Sequence, residues 1–152
     1  MFLKDVGANY IQIALFYGIS TIPWASQIYF ADLAERIGKK LFLSLSLFIS
    51  FLSLLLIFFI HNLLFLFTLG IVASFGISIG TPVLEGWVTK LGLRKEGEFT
   101  GVLEMIFCIG NIFGSLLGGF LSEIFYLNAP FLLASILMLI SLLVLKKTNK
   151  LF

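Results

Sequence analysis

Glu104, Asn111, Ser115 and Ser122 stand at offsets of 0, 7, 11 and 18, which lines up a carboxyl, an amide and two hydroxyls on one stripe of a helix. Their neighbours are apolar. At 1.5 Å per residue, Glu104 falls about 8 Å inside a helix that begins near Phe99. A carboxylate at that depth must snorkel, pair, take up a proton or meet water. Two readings stand: Glu104 reaches back to Lys90, Arg94 or Lys95 at the interface, or it lies on a functional path. Glu85 sits nearer the interface and reads as an interfacial side chain, and His61 as a solvated turn residue. Cys108 is the single cysteine and lies within an apolar run, so it reads as a small buried side chain with no disulfide and no CxxC redox or metal pattern. No His/Asp/Glu metal set and no nucleophile constellation accompanies it. The reading is therefore no enzyme, no metal and no cofactor.

The elements that must carry these residues follow from composition. The 152 residues are 60% hydrophobic and 12% charged, with a mean hydropathy of +1.12, which is the composition of an integral membrane protein. The fold class is all-α. Crossing about 30 Å of hydrocarbon takes around 20 helical residues, which allows five spans and no soluble domain. The expected spans are about 7–30, 41–60, 63–88, 99–125 and 131–145, in one domain covering residues 1–152. The first is expected to be one helix kinked at Pro23, and retained rather than cleaved as a signal peptide. A second kink is expected at Gly80-Thr81-Pro82. The span over 41–60 has no glycine and reads as largely lipid-facing, whereas Gly70, Ala73, Ser74, Ser78 and Thr81 give the next span a face of small residues.

Charge separates these spans. Ala31 to Lys40 holds two acids and three bases, and a charge at mid-membrane costs about 3 kcal/mol on insertion scales, so this stretch is read as a loop turned at Gly38. Thr89 to Glu98 is a second charged loop. Arg36, Lys39 and Lys40, then Lys90, Arg94 and Lys95, then Lys146, Lys147 and Lys150 fall on one side when five spans are threaded, and only Lys4 of the ten bases falls on the other. The expected orientation puts both loops and the C-terminus in the cytoplasm and the N-terminus outside a cell membrane. No nucleic-acid partner is implied.

Gly110-x-x-x-Gly114-x-x-x-Gly118 places a small residue at every fourth position, a groove into which another helix can press. Here the sequence resembles a known family. Ala31 to Lys40 resembles the loop motif of the major facilitator superfamily, Gly-x-Leu-Ala-Asp-Arg-x-Gly-Arg-Arg. Ala31 stands at the first Gly and Glu35 at the Asp, with Arg36, Gly38, Lys39 and Lys40 matching in kind. The span over 99–125 is similar to the family's antiporter motif, with Gly101, Gly110, Gly114, Gly118 and Gly119 in register and Ser115 in place of the usual Pro.

The resemblance implies the second to sixth helices of a six-helix half, without the first. The missing Arg in the 63–88 span and the basic tail point to a C-terminal half. It also implies a share in alternating access. In that scheme Glu35, Arg36, Gly38, Lys39 and Lys40 form a conformational-switch loop, and the five glycines a helix-packing seam. Glu104, Asn111, Gln12 and Trp24 line a solute or proton path, with proton-coupled efflux of a small solute as the expected activity. The partners would be the lipid bilayer, an unknown small-molecule substrate, and a missing transporter half or an oligomeric copy. The alternative is a small membrane protein that does not transport, either an assembly partner or a degenerate remnant.

Overall fold

The computed structural model describes residues 2–5, 7–60, 62–91 and 96–148, leaving out the side chains of residues 2, 5, 89–91 and 96. Helix is the only regular structure among the described residues. The first oily stretch makes four pieces: α1 (Phe2–Asp5), α2 (Tyr10–Ser20), α3 (Ile22–Ala25) and α4 (Gln27–Ile37). Four longer helices follow, α5 (Lys39–Phe59), α6 (Leu63–Leu91), α7 (Glu96–Ile124) and α8 (Ala129–Lys147). Each of the four is long and apolar enough to cross a bilayer, taking Lys39–Phe59, Leu63–Val88, Gly97–Ile124 and Ala129–Lys147 as the candidate spans.

The single kinked helix expected over 7–30 is thus three helices, and none of them spans alone. Pro23 has no N–H to continue the ladder, so it sits in the first turn of a new helix instead. Around it the backbone tightens to bonds three residues apart, from Trp24 N–H to Thr21, Ser26 N–H to Pro23 and Tyr29 N–H to Ser26, each at 3.1 Å. The Thr21 hydroxyl caps the break by donating to the Gly18 carbonyl at 2.7 Å.

The charged stretch also differs from the expected loop. Ala31 to Ile37 is helical, and Asp32 and Arg36 pair four residues apart at 3.0 Å along α4, which adds modest support. Only Gly38 stands outside helix, with φ +118° and ψ 121°, at once the end of α4 and the start of α5. A side chain is strained at that φ, which is why the turn is glycine. α6 runs through Pro82 as one continuous helix. Asn62 lies just ahead of α6, and its side-chain oxygen accepts the Leu64 N–H at 3.0 Å.

The packing departs most from expectation at α5. Far from being a lipid-facing rod, α5 lies between α6 and α8 and has more contact with each than any other helix pair has. Ser46, Ser50, Ser53 and Ile57 form a buried stripe at offsets of 0, 4, 7 and 11, and Ser50 is 1% exposed. Facing it are Gly76 and Gly80 of α6. A Cβ on Gly76 would fall 3.0 Å from the Ser50 backbone nitrogen, and one on Gly80 would collide with the Ser46 hydroxyl. Small residues on both sides bring the two backbones close enough for side-chain hydroxyls to reach across. On its other side α5 runs antiparallel to α8, so that Leu41 and Leu45 share a groove with Leu142 and Lys146. Ala34, Phe42, Leu43, Ile79, Val83 and Leu145 close the core at the basic end.

Candidate functional site

α7 carries most of the expected site, and it is the barest of the long helices: no residue of its best apolar window is buried. It rests on α6 and α8 by modest contacts, with Leu103 as its buried side chain. A cavity of about 250 Å³ lies behind it, between α5, α6 and α8, bounded by Ser46, Ser50, Gly80, Phe107 and Met138. A Cβ on Gly101, Gly110, Gly114 or Gly119 would meet no atom within 4 Å, and one on Gly118 would touch only Pro130 of α8, at 3.8 Å. The seam that reads as a packing surface is therefore open, whereas the glycines that are filled lie on α6. Gly70 belongs with the filled ones, since a Cβ there would fall 2.5 Å from the Phe16 ring of α2.

The polar stripe of α7 resolves into two kinds of residue. Ser115 and Ser122 turn their hydroxyls back onto the Asn111 and Gly118 carbonyls at 2.7 and 2.8 Å, the usual way for an intrahelical serine to satisfy itself in an apolar setting. Asn111 and Glu104 are exposed on the same helix. Glu104 of α7 and Glu85 of α6 are near each other, two acids on neighbouring helices. The expected reach of Glu104 to Lys90, Arg94 or Lys95, and the solvated His61, lie outside the described side chains. Cys108, expected to be buried, is exposed on α7 because that helix has no cover on its outer side.

Gln12 and Trp24 are placed apart from Asn111 and Glu104, with α6 as the common neighbour of α2, α3 and α7. The Gln12 side chain is already engaged. It forms a capping box with Asn9, its oxygen accepting the Asn9 N–H at 2.9 Å while the Asn9 side chain accepts the Gln12 N–H at 2.8 Å. Trp24 sits in α3 beside the break and is 45% exposed.

The turn at Gly38 is held from within. Glu35 pairs with Lys39 at 3.4 Å across Gly38, and Arg36 with Asp32, so each motif charge named has a partner on this chain. Lys40 follows in the first turn of α5. No group of three or more His, Cys, Asp or Glu able to hold a metal occurs among the described residues. Sequence reasoning missed the α5 serine stripe. Its signal was present in the spacing of Ser46, Ser50 and Ser53, hidden because Ser44 falls off that stripe and Leu, Ile and Phe occupy every face of the helix.

Long apolar helices joined by short turns, with bases gathered near Gly38, between α6 and α7 and at the end of α8, define a multi-pass α-helical membrane protein. The chain belongs to the Major Facilitator Superfamily, whose family model matches residues 1–150. It is 30% identical over 148 residues to the class H tetracycline resistance protein of Pasteurella multocida, covering 91% of this chain and 37% of that protein. It is 23% identical over 133 residues to an uncharacterized MFS-type transporter of Methanocaldococcus jannaschii, covering 86% of this chain and 34% of that protein. The chain spans about a third of the length of these curated relatives. No solved structure gives a significant match.

Proposed function

We propose that the chain contributes one side of a secondary transporter that works by alternating access, docking the open face of α7 against a second half or a second copy. The observation that carries this is the contrast between two glycine rows of the same protein. Gly70, Gly76 and Gly80 of α6 are filled by Phe16, Ser50 and Ser46, whereas among the described residues the α7 seam meets only Pro130, beside Gly118. A helix with regularly spaced glycines and an exposed amide and carboxyl is suited to a surface that must approach a partner and release it. Membership of the family and the resistance protein among its relatives support transport as the activity.

In this reading the helices are the second to sixth of a C-terminal half, and α2 to α4 together make the first of the five crossings. The turn at Gly38 faces the cytoplasm with the other basic segments, and Glu35 and Arg36 exchange their partners on this chain for groups of the other half as the two sides rock. Glu104 couples the cycle to a proton, and Asn111 and Trp24 contact the solute. Tetracycline, named for the Pasteurella relative, is the first solute to try.

The test is reconstitution of the purified chain in vesicles, with its oligomeric state measured alongside uptake driven by an imposed pH gradient. Assembly above the monomer together with gradient-driven flux supports the proposal. A monomer that carries no flux supports the alternative of a membrane protein that does not transport.

A further inference from the structure

At the end of the bundle away from the basic turns, a groove of about 270 Å³ runs between α2, α5, α6 and α8, lined by Leu3, Ile13, Phe16, Ile57, Leu66 and Phe131. Its floor is well supported. The Phe16 ring stacks on Phe67 at 5.1 Å and closes against Gly70, and Leu66 is nearly fully buried. Its rim is open, for Tyr17 stands 63% exposed beside it. The wall residue Leu3 adjoins Lys4, the one Lys or Arg at this end among the described residues. The Lys4 ammonium donates to the Tyr10 hydroxyl at 2.9 Å and lies 5.1 Å from the centre of that ring. Tyr10, Ile13 and Tyr17 follow one another at offsets of 0, 3 and 7, so one face of α2 leads from the cation to the groove.

A lysine and a tyrosine at a bilayer interface, with an apolar channel running inward from them, match the two parts of a glycerophospholipid. We propose that this groove holds an acyl chain of a phospholipid from the leaflet at that end, with its phosphate on Lys4 and the Tyr10 hydroxyl. Charge decides the headgroup contact, because an ammonium in this position offers an ion pair to a phosphate and nothing comparable to an uncharged glyceride. Shape decides the tail contact, since the groove is lined mainly by aliphatic and aromatic side chains and is partly open. This site is independent of transport and rests only on the membrane placement of the helices.

The experiment is native mass spectrometry of the full chain released from micelles containing either phosphatidylglycerol or a diacylglycerol with the same chains. The expected result is phospholipid adducts at least threefold more abundant than diacylglycerol adducts. Lys4→Gln should remove that preference while leaving some binding of both. Ile13→Trp should fill the groove and lower both adducts at least threefold, while Ile19→Trp, on an exposed face of the same helix, should leave them as in the parent chain. The proposal is overturned if Ile13→Trp keeps the parent adducts, if Ile19→Trp lowers them equally, or if Lys4→Gln retains the phosphate preference.

Discussion

The Ser46 hydroxyl of α5 donates a buried hydrogen bond of 2.7 Å to the Gly76 carbonyl of α6. This contact joins the two helices that share the most surface, and it exists because neither Gly76 nor Gly80 carries a side chain to hold α5 away. Interhelical hydrogen bonds within membranes contribute about 0.6 kcal/mol on average, and close backbone packing adds to that. Ser46→Ala is accordingly expected to lower stability by about 0.6 kcal/mol, and Gly76→Leu by several times more, read as the midpoint of unfolding in mixed micelles. Equal losses for the two variants would contradict this arrangement.

The open seam of α7 predicts the opposite response. Gly114→Ala adds a methyl group where nothing lies within 4 Å, and alanine favours helix over glycine by up to about 1 kcal/mol. The isolated chain should be unchanged or slightly more stable, while Gly114→Leu should abolish association with the partner. Chemical cross-linking of membranes expressing the chain measures the second effect, and unfolding midpoints the first.

At the turn between α4 and α5 the stability and the activity should separate. Gly38→Ala forces a side chain into φ +118°, which costs of order 1–3 kcal/mol. Arg36→Ala removes an exposed pair with Asp32, and such pairs contribute roughly 0–1 kcal/mol, so the fold should tolerate it. A switch role requires that Arg36→Ala nevertheless slow flux in reconstituted vesicles by tenfold or more.

Glu85 and Glu104 test the α6–α7 contact through charge. Like charges on neighbouring helices repel, so Glu104→Gln should raise the unfolding midpoint, and Glu85→Gln should add little once Glu104 is neutral. Independent, fully additive effects would show that the two carboxyls do not act on each other. If Glu104 also couples the proton, the same variant should lose gradient-driven flux while keeping exchange of solute at equal pH.

Membrane insertion, helix number beyond the first stretch, the glycine rows and both family motifs are properties of residue type and spacing, and they are legible along the chain. Hydropathy marks α5, α6, α7 and α8 because burying uncompensated backbone or charge in hydrocarbon is costly wherever the helices end up. Which side of each helix meets protein is not encoded in that contrast. Lipid tails are as apolar as leucine, so α5 looks alike on its covered and uncovered faces, and its place between α6 and α8 came only with the rotation of each helix in the bundle. The same holds for glycine. The α7 glycines are the more regularly spaced, yet tertiary packing brought Ser46, Ser50 and Phe16 against those of α6 and left the α7 seam largely open among the described residues. Around Pro23 the sequence marks a break but not its extent, because whether a helix kinks or restarts depends on the hydroxyls and neighbours that take up the freed carbonyls.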